Sequence, residues 1–120
     1  MPSPATPDAM RPLDALEQTI RERADAARQG DGGKSYTVKL LTGPLEKLCG
    51  KVTEEAGELV EAASEQGDEG RAHFVYEAGD LLYHTLVLLR RHGVDLAEVE
   101  HELARRFGIS GIEEKASRAK

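Results

Sequence analysis

The sequence predicts an all-α domain, an antiparallel helical bundle with short loops. Apolar residues recur at steps of three and four along four segments, as on one face of a helix. Glycines and prolines separate these segments, and no segment alternates apolar and polar residues as a half-buried strand would. The chain has no Trp and only five aromatic residues in 120. Such a small aliphatic core is often completed by oligomerisation.

One domain with a flexible segment at each end is expected from the length. Residues 1–8 are predicted to be an N-terminal arm, residues 9–107 the helical domain, and residues 108–120 a tail with too little apolar content to fold alone. The N-terminus lacks the features of a signal peptide, and no run of about 18 apolar residues occurs. We therefore expect a cytoplasmic location and no membrane partner. The single Cys49 excludes an intramolecular disulfide and is expected to be a small buried residue.

The first two helices are bounded by residues with strong local preferences. An amphipathic helix is expected from about Asp8 to Gln29, where the sequence G-D-G-G ends it. Ser35 is interpreted as the N-cap of a short apolar segment, as a substrate contact, or as both. Pro44 suits the first turn of the next helix, which is predicted to run to about Gln66.

Two further helices are predicted after a reversal near positions 67 to 70. One runs from about Arg71 to Arg91, and the last from Leu96 to Phe107 behind a capping box. The box consists of Asp95 and Glu98. The helix over 71 to 91 carries two adjoining rows, one of Val75, Gly79, Leu82, Leu86 and Leu89, the other of Glu77, Asp80, His84 and Val87.

Four carboxylates carry the strongest chemical signal in the sequence. Glu55 and Glu58 lie three residues apart on one predicted helix, and Glu77 and Asp80 lie three apart on the next. Three residues make nearly one helical turn, so each pair projects from one face. A reversal near positions 67 to 70 sets the pairs level with each other. Facing carboxylates repel unless a cation or proton lies among them, which predicts a metal site.

The charge distribution favours a hard divalent cation. Residues 54–80 hold nine acids and one base, a net charge of −8 in a chain of −6. This excludes a basic nucleic-acid footprint, so no nucleic-acid partner is expected. An all-oxygen site favours Mg²⁺, or Mn²⁺, over zinc, and substrate phosphates would complete its ligand shell. One alternative is that the acids are merely solvated. A second alternative, a di-iron carboxylate site, would need two Glu-x-x-His units that the sequence lacks.

Basic side chains near the acids have two interpretations each. Lys47 and Lys51 lie two turns and one turn before Glu55, where they could bind phosphate oxygens. Equally, Lys51 could form only an exposed ion pair with Glu54 or Glu55. His84 could hold a carboxylate in place or be a hydrogen-bonded histidine at the edge of the bundle.

Four motifs follow one another along the chain, namely S-Y-T-V-K-L-L-T-G-P, K-V-T-E-E-A-G-E-L-V-E-A-A, E-A-G-D-L-L-Y-H and E-L-A-R-R-F-G-I-S-G-I-E-E-K-A-S-R. Their order resembles the phosphoribosyl-ATP pyrophosphohydrolase family of histidine biosynthesis, which belongs to the MazG-like all-α nucleotide pyrophosphohydrolases. The similarity covers about Leu16 to Arg118. Thr53 and Gly79 depart from the pattern, where glycine and alanine are usual, but neither removes a carboxylate.

The resemblance implies magnesium-dependent hydrolysis of the α,β phosphoanhydride of phosphoribosyl-ATP by a homodimer, giving phosphoribosyl-AMP and pyrophosphate. It implies metal ligands at Glu55, Glu58, Glu77 and Asp80. Glu54 would orient or deprotonate the attacking water, so that the catalytic acids are Glu54, Glu55 and Glu58. Substrate contacts are implied at Ser35, Tyr36, Lys47, Lys51 and His84.

Two other functions are compatible with the acids alone. A house-cleaning pyrophosphohydrolase of noncanonical nucleoside triphosphates would share the metal cluster but not the substrate pocket. A non-catalytic helical dimerisation module would leave the carboxylates solvated. The products released from a panel of substrates distinguish the three.

Overall fold

The computed structural model describes residues 10–30, 33, 35–107, 111 and 115 of the chain. The predicted N-terminal arm and most of the predicted tail lie outside these residues. Within the described part, the chain forms helices and no strand, which confirms the all-α class. The helices are α1 (Pro12–Arg28), α2 (Tyr36–Thr42), α3 (Leu45–Ala62), α4 (Gly67–Arg91) and α5 (Leu96–Arg105).

Helix α2 has a side-chain N-cap at its start and, at its end, a C-cap glycine with no room for a Cβ atom. The backbone N–H of Val38 donates to Oγ of Ser35 at 3.4 Å, so Ser35 is the N-cap, as the sequence predicted. The C-cap is Gly43, where a Cβ atom would lie 2.8 Å from the carbonyl oxygen of Lys39. The short apolar segment of the sequence is therefore a complete seven-residue helix.

Helices α3 and α4 form the hairpin that positions the acids. The chain reverses between Ala62 and Gly67, earlier than the sequence predicted, so α4 begins four residues before Arg71. Gly67 has a φ of 78°, a conformation that glycine adopts without strain. A Cβ atom on Gly70 would lie only 2.7 Å from the backbone carbonyl carbon of Glu65. The close contact brings the first turn of α4 against the turn between the helices.

The core joins the first four helices, and both rows of α4 contribute to it. Its buried residues are Ile20, Leu40, Leu48, Leu86 and Val87. Val75 and Leu82 are 63% and 48% exposed, whereas Leu86 farther along the same row is buried and Glu77 and His84 face inward. Gly70 lies seven residues before Glu77, hence on the same side of α4, and is placed against the interhelical turn.

Helix α5 is attached through its N-terminus. The backbone N–H of Asp95 donates to the carboxylate of Glu98 at 2.9 Å, so the predicted capping box is present. The Asp95 carboxylate also accepts hydrogen bonds from Arg21 at 3.1 Å and Arg90 at 3.0 Å, which tie α5 to α1 and α4. Among the described helices, none combines the length and apolar character needed to cross a membrane. Cys49, expected to be buried, is exposed.

Candidate metal centre

Three of the four predicted metal ligands come together across the α3–α4 hairpin. Glu55, Glu77 and Asp80 each offer a carboxylate oxygen, and these oxygens lie within 4.8 Å of one another. Glu55 is 7% exposed and Glu77 is 4% exposed, so two of the three acids are largely removed from water. Burial of this kind distinguishes the cluster from acids on a solvated surface, which was the alternative interpretation.

Two oxygens of the cluster lack hydrogen-bond partners. Oε2 of Glu55 and Oε2 of Glu77 are buried and make no hydrogen bond to any described group. A buried carboxylate oxygen without a partner is strongly unfavourable, and a cation among the three acids would satisfy both oxygens. The donor set consists only of oxygen atoms, which is the set that hard divalent cations prefer. The residues therefore fit a metal ion.

Crowding among the acids raises the pKa of two of them. Hydrogen bonding with Glu58, burial, and repulsion from Glu58 and Glu55 together raise the pKa of Glu77 from 4.5 to about 7. Burial, followed by repulsion from Glu58 and Asp80, raises the pKa of Glu55. Glu58, the fourth predicted ligand, thus lies against Glu77 at the side of the three-oxygen cluster. When no cation is bound, protons on these carboxylates reduce the repulsion among them.

These shifts predict an unusual pH dependence for the metal-free protein. Between pH 4.5 and about pH 7, Glu77 is protonated in the folded chain but ionised in the unfolded chain. The folded state then binds more protons, so the free energy of unfolding should fall as pH rises through this window. Thermal unfolding in excess chelator measures the fall. Saturating Mg²⁺ should remove it, because the metal binds the ionised carboxylates, and its stabilising effect should be largest above pH 7.

The control for this prediction is Glu77→Gln, which cannot ionise. Its melting temperature in chelator should vary less with pH over the same window. An unchanged slope would show that other groups cause the pH dependence and would contradict the role given to Glu77.

Glu54 and the two lysines lie outside the buried cluster. Glu54 is half exposed and pairs with Nζ of Lys51 at 3.4 Å. This pair, rather than one with Glu55, is the ion pair that the sequence left open, and Glu54 is the main cause that raises the pKa of Lys51. Lys47 is exposed on the same helix. The catalytic role of Glu54 and the phosphate contacts of both lysines remain predictions.

His84 links the metal cluster to α2. It is 5% exposed, so it lies in the interior and not at the edge of the bundle. Its Nδ1 lies 3.0 Å from the backbone carbonyl of Asp80, and its Nε2 lies 3.1 Å from the hydroxyl of Tyr36. A carbonyl only accepts, so Nδ1 donates to the carbonyl of Asp80, while Nε2 forms the hydrogen bond with the hydroxyl of Tyr36. His84 therefore holds the backbone of Asp80 and orients Tyr36.

His73 is a residue near the cluster that the sequence analysis missed. Its Nδ1 lies 3.0 Å from the carboxylate oxygens of Glu65, and its Nε2 lies 4.0 Å from Oε1 of Glu77. The hydrogen bond with Glu65 is the largest cause that raises the pKa of His73. The spacing of four residues between His73 and Glu77 on one predicted helix was a signal that could have identified it.

Comparisons with known proteins identify relatives of this chain. The family model described as phosphoribosyl-ATP pyrophosphohydrolase matches residues 13–107. A protein of Rhodopirellula baltica named phosphoribosyl-ATP pyrophosphatase is 51% identical over 93% of this chain and 90% of its own length. A protein of Bradyrhizobium diazoefficiens named phosphoribosyl-ATP pyrophosphatase 1 is 50% identical over 86% of this chain and 91% of its own length. A protein of Neisseria meningitidis serogroup C, also named phosphoribosyl-ATP pyrophosphatase, is 42% identical over 88% of this chain and 92% of its own length.

Proposed function

This chain belongs to the phosphoribosyl-ATP pyrophosphohydrolase family, and we propose that its buried carboxylates hold magnesium during the family's reaction. That reaction splits the α,β phosphoanhydride of phosphoribosyl-ATP into phosphoribosyl-AMP and pyrophosphate, a step of histidine biosynthesis. The observation that carries the proposal is the three-oxygen cluster with two unpartnered buried oxygens, which lies inside the matched segment.

Glu55, Glu77 and Asp80 would hold the metal, and Glu58 beside Glu77 would supply a fourth carboxylate. When bound, magnesium neutralises charge on the phosphates and lowers the pKa of water. Manganese has similar ligand preferences and could substitute. Because the carboxylates come from two packed helices of one hairpin, the fold would hold them in position for the metal before the substrate binds.

Residues at the edge of the cluster would handle the water and the substrate. A carboxylate oxygen of Glu54, half exposed beside the buried acids, would accept the proton of the attacking water. Lys51 and Lys47 on α3 would bind phosphate oxygens that the metal does not reach. Tyr36, oriented by His84 and still 48% exposed, can present its ring to the substrate, with Ser35 next to it.

A second copy of the chain would cover the exposed apolar side of α4. Val75 and Leu82 lie seven residues apart and therefore on one side of the helix, and both are exposed in the single chain. Gly79 lies between them, and a Cβ atom there would meet no atom within 4 Å. Packing within the chain does not require this glycine, although it lowers helix propensity by about 1 kcal/mol. A partner helix that packs closely against α4 would explain both Gly79 and the exposed apolar residues beside it.

Turnover of a substrate panel tests the proposed function. With Mg²⁺, the chain should release pyrophosphate from phosphoribosyl-ATP far faster than from noncanonical nucleoside triphosphates, and excess chelator should abolish release. Preference for a triphosphate would identify a house-cleaning enzyme instead. Absence of turnover with every substrate would favour a dimerisation module.

A further inference from the structure

A cleft lined by arginines lies between α1, the end of α4 and the turn before α5. Its volume is about 530 Å³, within the usual range for small-molecule sites. Its charged lining residues are Arg21, Arg28, Arg90, Arg91, Asp25 and Asp95. Four positive and two negative charges give the cleft a net charge of +2, in a chain whose total is −6. The cleft therefore carries the charge opposite to that of the metal cluster.

The positive charges of the cleft are only partly neutralised by its aspartates. Arg21 and Arg90 share the carboxylate of Asp95, and Arg21 also lies 3.8 Å from the carboxylate of Glu17. Arg28 pairs with Asp25, and both side chains are more than half exposed, where such pairs contribute little. These three arginines therefore have as many acidic partners, and they leave no full positive charge over.

Arg91 supplies the unbalanced positive charge of the cleft. Its NH1 atom donates to the backbone carbonyl of Leu40 at 2.9 Å, and no acidic partner of Arg91 occurs in the described part of the chain. The contact with Leu40 holds the guanidinium at the end of α2 but uses only one of its five N–H groups. The remaining donors are available to a ligand.

A smaller cleft adjoins the first and extends it along α2. Its volume is about 210 Å³, and it shares Arg28, Arg90 and Arg91 with the larger cleft. Leu41 and Ala27 contribute apolar surface to its lining. The combined space thus offers guanidinium groups for an anion and apolar wall for the organic part of the same molecule.

Helix-end electrostatics account for only part of this arrangement. Basic residues in the last turn of a helix interact favourably with its dipole, which explains why Arg28, Arg90 and Arg91 occur where they do. It does not explain Arg21, which lies in the middle of α1 and also faces the cleft. Nor does it require the side chain of Arg91 to cross to α2 and leave its other donors facing a cavity.

We propose that this cleft binds the phosphate monoester group of a small molecule, with Arg91 as a principal contact. Guanidinium groups bind phosphate oxygens in pairs of parallel hydrogen bonds, and the lining of the cleft has more positive than negative side chains to receive the anion. The monoester is either the phosphoribosyl end of the substrate or part of a separate metabolite. Arg91 lies eleven residues after Asp80, about 16 Å along α4, so a substrate that reached both sites would be extended. If the substrate supplies the monoester, the inference rests on the proposed function. If a separate metabolite supplies it, the inference does not.

Calorimetric titration tests the cleft with inorganic phosphate and with ribose 5-phosphate. The protein is kept metal-free in chelator, so that the acidic cluster does not recruit either anion. Both probes should bind, and Arg91→Gln should weaken them about ten- to a hundredfold. Arg71→Gln, the same change on α4 but outside the cleft, should bind them as the unmodified chain does. Failure of the unmodified chain to bind, or equal binding by Arg91→Gln, would overturn the proposal.

Kinetics then distinguish the two sources of the phosphate. If the substrate supplies it, Arg91→Gln raises KM for phosphoribosyl-ATP with little change in kcat, and ribose 5-phosphate competes with the substrate. If a separate metabolite supplies it, KM is unchanged while binding of ribose 5-phosphate is lost. Both results support the cleft as a phosphate site. Because the titration needs no turnover, binding at the cleft is measured independently of whether the proposed function holds.

Discussion

Glu55→Gln should lower kcat for pyrophosphate release by about a hundred- to a thousandfold, the range found when a preorganised charge-stabilising group is lost. Glu55 is the only cluster member on α3 whose oxygen lies within 4.8 Å of oxygens from both α4 acids. The amide keeps the size of the side chain but removes a negative charge from the metal-binding oxygens. Initial rates of pyrophosphate release at saturating Mg²⁺ measure the effect.

Two controls separate loss of chemistry from loss of structure. Glu61→Gln makes the same change on the exposed side of α3 and should keep the rate of the unmodified chain. In chelator, Glu55→Gln should melt no lower than the unmodified chain, because it removes one of several repelling carboxylates. An unchanged rate in Glu55→Gln would contradict the assignment of the cluster as the metal site.

Leu82→Glu should convert the proposed dimer into a monomer. Twofold symmetry would place two new carboxylates in one interface, and burying each without a partner is strongly unfavourable. We expect the dissociation constant to rise at least about a hundredfold, with each factor of ten equal to about 1.4 kcal/mol. Analytical ultracentrifugation over a range of protein concentrations measures the change.

Leu103→Glu is the matched control for this prediction. Leu103 is 49% exposed, almost the same as Leu82, but it lies on α5 and away from the row that contains Gly79. It should leave the dimer intact. Loss of the dimer in Leu103→Glu but not in Leu82→Glu would place the interface on α5. If the unmodified chain is a monomer, the proposed dimer is wrong.

Local sequence signals predicted the class of the fold and several helix ends. Ser35 caps α2, and Asp95 with Glu98 caps α5, because the atoms that make these bonds lie three residues apart in the chain. The reversal between α3 and α4 was placed too late. Gly67 and Gly70 are poor helix formers, yet contact of Gly70 with Glu65 outweighs propensity at the start of α4.

Three of the four acids were predictable as a cluster because helical spacing holds each pair on one face and the chain reverses between the pairs. The exposure of Val75 and Leu82 was not predictable, since both have the hydrophobicity of core residues. Tertiary packing determines how deeply Glu55 and Glu77 are buried. The interaction of His73 with Glu65 was also missed, because it crosses the turn that the sequence placed too late.

The arginine cleft could not be inferred from the chain order. Arg21 and Arg91 are seventy residues apart, and their neighbours carry no shared motif. They meet because α1 packs against the end of α4, and the shared carboxylate of Asp95 fixes the turn that closes the cleft.

Gly70 makes the orientation of Glu77 and His84 depend on a residue with no side chain. Position 70 lies one heptad before Glu77 and two before His84, so all three share a side of α4. A one-residue deletion or insertion between positions 62 and 70 would present a residue with a Cβ atom to the backbone of Glu65, and α4 would have to turn or withdraw. Natural variation in length should therefore be rare in this turn.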